Sequence, residues 1–397
     1  MSGSRAVSVP QAELVGEESH GWDLRLLLPA LLLVAIGVAM VISAAIPIVT
    51  RDGSRGVLVY LQKEALFLLL GLIGLIWAAR LSVPRLQDRA LPLLLVTLVL
   101  LLGLHKFGTE VNGARSWYVI LIPGMPLSFQ PSEMAKLVLV VVFARYFAKF
   151  PAGLRRWSQL LPPLLILGLV CGSVAKEPDL GTVAVIGMAT LVFFHLAGAR
   201  FRYVAAVALL AVAVVGLKMH HDVTVHHETY QWQRIVDWIH PTPEAEQAGN
   251  YQMTSSLTAL GSGGLFGRGY CHGVAKFFYL PEPTTDYILS VTGEEVGLVG
   301  TCLVVVLLVL LVRRGLQIAA AAEDRFSGLL AAGVTCVFGV QSLLNIAVIT
   351  GGAPTTGITL PFVSYGGSSL LFSLIGVGLL LNVARAKRRP RVSRVVA

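Results

Sequence analysis

Long apolar segments recur along almost the whole chain of 397 residues, and they restrict the folds that it can adopt. A helix needs about 20 mostly apolar residues to cross the hydrocarbon core of a bilayer. Charged residues make up only 13% of the chain, against about 25% in soluble proteins. The pattern predicts an all-α, polytopic membrane protein with ten transmembrane helices. The predicted spans are 26–46, 62–79, 91–105, 132–148, 160–175, 181–198, 203–217, 288–312, 326–349 and 368–384.

Lys and Arg residues concentrate in the short connections at one end of the predicted bundle. Cytoplasmic loops of membrane proteins carry such an excess, so both chain termini are predicted to be cytoplasmic. Residues 1–22 are predicted as a disordered cytoplasmic tail, 23–384 as the membrane domain and 385–397 as a basic cytoplasmic tail. The net charge of +9 follows from this one-sided distribution, which indicates contact with membrane lipids and no nucleic-acid partner.

A long polar loop, residues 218–286, separates the seventh and eighth predicted helices and is predicted to be extracytoplasmic. It ends in Asp286, where the next helix enters the bilayer. Irregular backbone at membrane depth needs protein or water partners, so such a loop often lines a cavity. A solvated connector without chemistry is an equally open reading of this segment alone.

Two ionisable residues, Glu133 and Lys136, stand at the start of the fourth predicted span. They are three positions apart and therefore share one face of a helix. An ionisable residue inside a span is a candidate functional residue. The alternative is a structural ion pair that satisfies itself near the outer interface.

Charged and aromatic residues also occupy two short outer connections. Lys176, Glu177 and Asp179 lie in a turn too short to leave the bilayer surface, so their charges must pair with one another or face a cavity. The Arg115 guanidinium has a forked geometry that suits phosphate or carboxylate. The alternative is an arginine that only extends its charge to the membrane interface. Trp117 fits either a cavity wall or an interfacial anchor.

Three further patterns carry weaker signals. The glycine-dense segment 261–269 lacks the spacing of a nucleotide-binding loop, and a turn that approaches a lipid headgroup or the membrane surface fits it better. Ser364 and Tyr365 lie in a Gly- and Ser-rich segment suited to close helix contacts or to a re-entrant cavity lining. Four cysteines form neither a disulfide framework nor a metal pattern, so the residues of any metal site stay unknown.

Taken together, these segments resemble the SEDS family (shape, elongation, division and sporulation), to which FtsW, RodA and SpoVE belong. Several separate motifs in the same order make the resemblance specific, and it covers about residues 25–385. Residues 276–283 and 293–295 look more like the division and sporulation branch than like the elongation branch. The matching segments are 112–117, 129–136, 177–182, 261–269, 279–286, 293–300 and 354–369, together with Gln341 and Asn345.

The resemblance implies a peptidoglycan glycosyltransferase of the bacterial cytoplasmic membrane that polymerises lipid II. It implies a class B penicillin-binding protein as partner, within the divisome or elongasome. Asp286 corresponds to the catalytic carboxylate of the family, and Arg115, Trp117, Glu133 and Lys136 to residues that line its polar cavity. A divalent cation, Mg²⁺ or Mn²⁺, is implied to support activity, and no organic cofactor is expected.

This chemistry needs one carboxylate as general base for the attacking sugar hydroxyl, with cations for the departing pyrophosphate. Two alternatives stay open: a lipid II flippase or other transporter, and a scaffold without catalysis that recruits the transpeptidase. A carrier needs polar access from both membrane faces, whereas the polar residues here gather at the outer helix ends. A scaffold needs neither Asp286 nor Glu133.

Overall fold

The computed structural model describes residues 22–386, apart from 53, 112–113, 121–125, 178, 226–229 and 240–250. Residues 1–21 of the predicted N-terminal tail and residues 387–397 of the predicted C-terminal tail therefore lie outside the described residues. Helices make up 75% of the structure. Their bounds are α1 Leu24–Asp52, α2 Ser54–Arg80, α3 Val83–Asp88, α4 Ala90–Phe107, α5 Pro131–Phe147, α6 Trp157–Ala175, α7 Leu180–Leu196, α8 Phe201–Val225, α9 Tyr230–Ile239, α10 Tyr251–Ser262, α11 Ile288–Ala320, α12 Arg325–Ile349 and α13 Gly367–Ala386.

Eight of these helices are long and apolar enough to cross a membrane, namely α1, α2, α4, α6, α8, α11, α12 and α13. The other two predicted spans correspond to α5 and α7, which have 17 residues each. Helix α7 is apolar but short, and α5 carries Glu133 and Lys136 in its first two turns. The protein is thus an integral membrane protein with a helix at each predicted span, while ten crossings remain a prediction.

A small antiparallel sheet, which the all-α prediction did not include, interrupts the mostly helical fold. Its strands are β1 (Thr109–Val111), β2 (Ala114–Ile120) and β3 (Leu127–Phe129), in the order β1-β2-β3. The Tyr118 hydroxyl donates to the Leu100 carbonyl on α4 at 2.8 Å and ties the sheet to the bundle. Two of the strands have three residues each, too few for an alternating pattern to register in the sequence.

The bundle is built around α12 and α13, whose side chains are mostly buried. Helix α13 packs along α2, and α12 packs against α5, α7 and α11. Helix α8, in contrast, is mostly exposed and continues to Val225, past the predicted end of its span. Within the predicted loop 218–286 the structure places α9 and α10, so this segment is partly helical.

Helix α11 is interrupted at Gly297, whose φ of 76° and ψ of −168° are not helical. Residues with a side chain rarely adopt this left-handed backbone, so glycine suits the position. A break in a membrane helix frees backbone groups that need new partners, because lipid supplies none. Residues 263–279, here called the bracing segment, lie against the break and provide those partners.

The backbone of the bracing segment bonds to α11 on both sides of the break. The Arg268 N–H donates to the Glu294 carbonyl at 2.9 Å, and the Leu298 N–H donates to the Gly264 carbonyl at 2.9 Å. The glycine-dense segment 261–269 therefore approaches the backbone of α11, and its predicted approach to a lipid headgroup or the membrane surface stays a prediction.

Candidate active site

Helices α5, α7, α11 and α13 begin, and α12 ends, at one end of the bundle, and the candidate residues gather there. Asn345 of α12 links two of the family segments. Its Nδ2 donates to the backbone carbonyl of Asp286 at 2.9 Å and to that of Ile358 at 2.6 Å. Gly357, with φ of 70°, faces the Asp286 carboxylate, because a Cβ there would lie 3.6 Å from Oδ2. The segment 354–369 thus forms one wall beside Asp286.

The Asp286 carboxyl is a weak acid for its residue type. Burial is the main reason that its pKa rises from 3.8 to about 7, because the charged form loses solvation. The negative charges of Glu282 and Asp179 act in the same direction, and the Arg234 guanidinium opposes them. Asp286 nevertheless keeps part of its surface exposed, so it is accessible to a reacting group.

Glu133 and Lys136 form the ion pair that their spacing predicts. Lys136 Nζ lies 2.8 Å from Glu133 Oε1 and also donates to Gln341 Oε1 at 2.7 Å. Gln341 in turn donates through Nε2 to the Thr359 carbonyl at 3.0 Å. All of the charged atoms are buried, so the pair fixes α5 against α12 and against the segment that faces Asp286.

The turn between α6 and α7 brings two acidic side chains toward the same region. Asp179 accepts from the Thr182 N–H at 3.0 Å as the N-cap of α7, and from Gln130 Nε2 at 3.3 Å. Glu177 is buried, and neither of its carboxylate oxygens has a hydrogen-bond partner in the described part of the chain. Burial raises the Glu177 pKa to about 8. Lys176 is exposed and forms no ion pair with another described residue.

Four other predicted site residues make contacts that do not involve the Asp286 side chain. Arg115 is exposed and pairs with Glu110 at 3.2 Å inside the β1–β2 hairpin. Trp117 is half-buried on β2. Ser364 is buried, and its Oγ accepts from the Leu360 N–H, which makes it a structural group of this segment. Tyr365 stacks on Tyr60 of α2 with ring centroids 4.1 Å apart, and its N–H donates to the Thr284 carbonyl.

Tyr60 and Glu64 are residues that the sequence analysis missed. Glu64 is 6% exposed, and its Oε2 has no hydrogen-bond partner among the described residues. It lies inside the predicted span 62–79, where the rule that identified Glu133 would also have identified it.

A second missed cluster anchors the bracing segment. Lys276 Nζ lies 2.7 Å from Glu295 Oε1 and donates to Ser43 Oγ at 2.8 Å, with both charged side chains fully buried. Ser43 Oγ also donates to the same carboxylate at 2.7 Å. The neighbouring Glu294 accepts from the Val274 N–H at 2.9 Å. These contacts tie α1, α11 and the bracing segment together just before the chain reaches Asp286.

The described residues contain no group of three or more His, Cys, Asp or Glu side chains that could hold a metal ion. His226, His227, Asn112, Gly113 and Pro178 lie outside the described residues. The described part of the chain therefore contains no cluster of protein ligands for a divalent cation.

Comparison with known proteins identifies relatives over nearly the whole chain. A protein of Geobacter sulfurreducens, named "Probable peptidoglycan glycosyltransferase FtsW", is 36% identical over 378 residues, which is 94% of this chain and 98% of the relative. A chain of a peptidoglycan synthase complex that coordinates polymerization and crosslinking has a TM-score of 0.73 and 28% identity over 93% of this chain and 99% of its own. The rod shape determining protein RodA of Thermus thermophilus has a TM-score of 0.67 and 29% identity, over 94% and 99%.

The sequence model of the FtsW/RodA/SpoVE family, described as "Cell cycle protein", matches residues 24–389. This range contains every segment on which the resemblance rested, including those that meet around Asp286. Four of these segments, 129–136, 177–182, 279–286 and 354–369, are joined by hydrogen bonds at one end of the bundle. The chain therefore belongs to the FtsW/RodA/SpoVE family of cell cycle proteins.

Proposed function

We infer that this chain is a peptidoglycan glycosyltransferase that polymerises lipid II into glycan strands, with Asp286 as the general base. The observation that carries the proposal is the partly exposed Asp286 carboxyl with a pKa of about 7, in a chain so similar to a relative named as such an enzyme. A general base works best when its pKa lies near the working pH. The position at a bundle end suits substrates that hang from lipid tails.

In the proposed reaction the 4-hydroxyl of one sugar attacks the anomeric carbon of another. The bond from that carbon to the lipid pyrophosphate breaks, and Asp286 takes the hydroxyl proton. The departing pyrophosphate needs positive charge nearby. Arg234, which lies close enough to influence the Asp286 pKa, and the exposed Lys176 are the proposed sources, together with Arg115 once it leaves Glu110.

We also propose that the buried Glu133–Lys136 pair shapes the cavity without touching the reacting atoms. It is bonded through Gln341 to Thr359, two residues from the Gly357 that faces Asp286. The supporting divalent cation, Mg²⁺ or Mn²⁺, is proposed to arrive with the substrate, because Mg²⁺ is commonly held by one or two carboxylates plus phosphate oxygens.

The proposed setting is the bacterial cytoplasmic membrane, with both termini cytoplasmic and Asp286 at the outer face. The proposed partner is a class B penicillin-binding protein of the divisome or elongasome. The similarity to a chain of a synthase complex that coordinates polymerization and crosslinking supports a transpeptidase partner. The higher identity to relatives named FtsW supports the division machinery.

The test is polymerisation of purified lipid II by the purified protein, alone and with its partner. Asp286→Asn keeps the size of the side chain but accepts no proton, so we expect the rate to fall by about 10²–10⁴-fold. The matched control is Glu282→Gln, an equal change of charge on an exposed neighbour, which should retain most activity. A wild-type rate from Asp286→Asn would reject the assignment of Asp286 and make Glu282 the next carboxylate to test, whereas a wild-type protein that forms no polymer would favour a flippase or a scaffold.

A further inference from the structure

An open cavity of about 710 Å³ lies at the end of the bundle opposite Asp286. The end of α2, the short helix α3 and the beginning of α4 enclose it. Its volume falls within the range of roughly 300–1,000 Å³ that is typical of ligand pockets. None of its lining residues belongs to the candidate active site, so the cavity needs an explanation of its own.

Three guanidinium groups line this cavity, from Arg80, Arg85 and Arg89. All three side chains are exposed. None of them forms an ion pair with another described residue, since the ion pairs of the described chain involve other side chains. The adjacent Asp88 is exposed and is not part of the lining, and its backbone carbonyl accepts from Arg145. The cavity is thus strongly cationic.

Another part of the cavity lining, here called the apolar wall, is apolar and exposed. Ile73, Ile76 and Trp77 of α2 are 55%, 43% and 59% exposed, and Leu93 of α4 completes the wall. These residues lie on helices that cross the membrane, where exposed apolar side chains contact acyl chains. A cationic pocket and a lipid-facing wall therefore meet in one groove.

We propose that this cavity is a binding site for an anionic membrane glycerophospholipid in the leaflet at the basic end of the bundle. The arginines bind the headgroup phosphate, because the guanidinium fork matches phosphate oxygens. One acyl chain lies along Ile73, Ile76 and Trp77. Basic pockets between membrane helices are typical sites for anionic headgroups. A soluble anion would gain nothing from the apolar wall. This site is separate from the proposed glycosyltransferase activity.

The position of Trp77 allows a direct test. The full-length protein is reconstituted into phosphatidylcholine vesicles, and dibrominated phosphatidylglycerol or dibrominated phosphatidylcholine is added in increasing mole fraction. The signal of Trp77 is the fluorescence difference between the wild type and Trp77→Phe. We expect brominated phosphatidylglycerol to quench this signal at a mole fraction lower by on the order of tenfold, since each basic residue near a membrane surface adds attraction.

The arginines are tested by replacing all three lining residues with glutamine in one variant. This triple variant should lose the preference for phosphatidylglycerol. A matched control replaces three exposed arginines at the same end of the bundle, Arg25, Arg200 and Arg313, and should keep it. Equal quenching of the wild type by both lipids would overturn the proposal. So would a preference that survives in the triple variant, or one that disappears equally in the control, which would indicate general charge attraction.

Discussion

The protonation of a single carboxyl should govern the rate of the proposed reaction. Asp286 must be deprotonated to accept a proton, and its pKa of about 7 means that the active form disappears in mild acid. We expect the rate of lipid II polymerisation to fall by about tenfold per pH unit below pH 7 and to level off above it. A pH–rate profile of the purified enzyme measures this directly.

Two charged residues near Asp286 allow the origin of the pH–rate profile to be checked. Removing the Glu282 charge should move the acidic limb to lower pH, because that charge raises the Asp286 pKa. Removing the Arg234 charge should move the limb to higher pH, because the guanidinium lowers the pKa. Opposite shifts in Glu282→Gln and Arg234→Gln would identify Asp286 as the titrating group. A limb that stays in place in both variants would contradict that identification.

Glu177 should make the stability of the protein depend on pH. Its pKa is about 8 in the fold, against an ordinary value of 4.5, so the folded state holds a proton that the unfolded state releases. Stability should therefore be greatest below pH 4.5 for this group and decline as pH rises through 8. A buried carboxylate without partners costs at least about 1–3 kcal/mol.

The measurement is thermal unfolding in detergent between pH 5 and 9. Glu177→Gln resembles the protonated form, so its melting temperature should change less with pH than that of the wild type. The comparison is made as a difference between the two proteins, since other groups titrate equally in both. Parallel curves for the two proteins would show that Glu177 is ionised in the fold.

At the scale of elements, the buried Lys276–Glu295 pair should hold the bracing segment in place. Lys276→Met leaves the Glu295 carboxylate uncompensated, and breaking a buried pair costs roughly 3–5 kcal/mol. Thermal unfolding measures that loss, and a second replacement, Glu295→Met, should recover part of it. Lys149→Met, at an exposed lysine, is the matched control and should change stability by less than about 0.5 kcal/mol. An equal change of stability in the two lysine variants would show that the Lys276–Glu295 pair does not hold the bracing segment in place.

The break in α11 makes a separate prediction about glycine. Gly297→Ala puts a side chain on a backbone with φ of 76° and into the bracing segment, so stability should fall by more than about 1–2 kcal/mol. Gly168→Ala in α6 is the control, because no atom lies within 4 Å of the added Cβ and alanine favours a helix interior. Thermal unfolding distinguishes the two. An unchanged melting temperature for Gly297→Ala would mean that the break closes in solution.

The sequence predicted those features that depend on local spacing. The spans follow from runs of apolar residues, and the Glu133–Lys136 pair follows from three-residue spacing on one helix. The Lys276–Glu295–Ser43 cluster was not predictable, because Ser43 is 252 positions from Glu295 and only the packed bundle brings them together. The contact of residues 261–269 with α11 was not predictable for the same reason, although the glycines inside the α11 span were a visible signal of a break.

For the whole molecule, the prediction concerns orientation. The arginine-lined cavity and Asp286 occupy opposite ends of the bundle, and the basic end is predicted to be cytoplasmic. A reporter fused after Arg394 should therefore be cytoplasmic, and one inserted near Glu246 should be external. Accessibility of the two reporters in intact cells and in inverted vesicles measures this. The reverse result at either position would refute the predicted topology.

The interrupted helix α11 also has a consequence for biosynthesis. The backbone groups around its break bond to the bracing segment, so α11 cannot reach its final form as an isolated helix leaving the translocon. The bracing segment precedes α11 in the chain and emerges from the ribosome first. Insertion can therefore proceed in the order of synthesis, because the bracing segment has already left the ribosome when α11 is made.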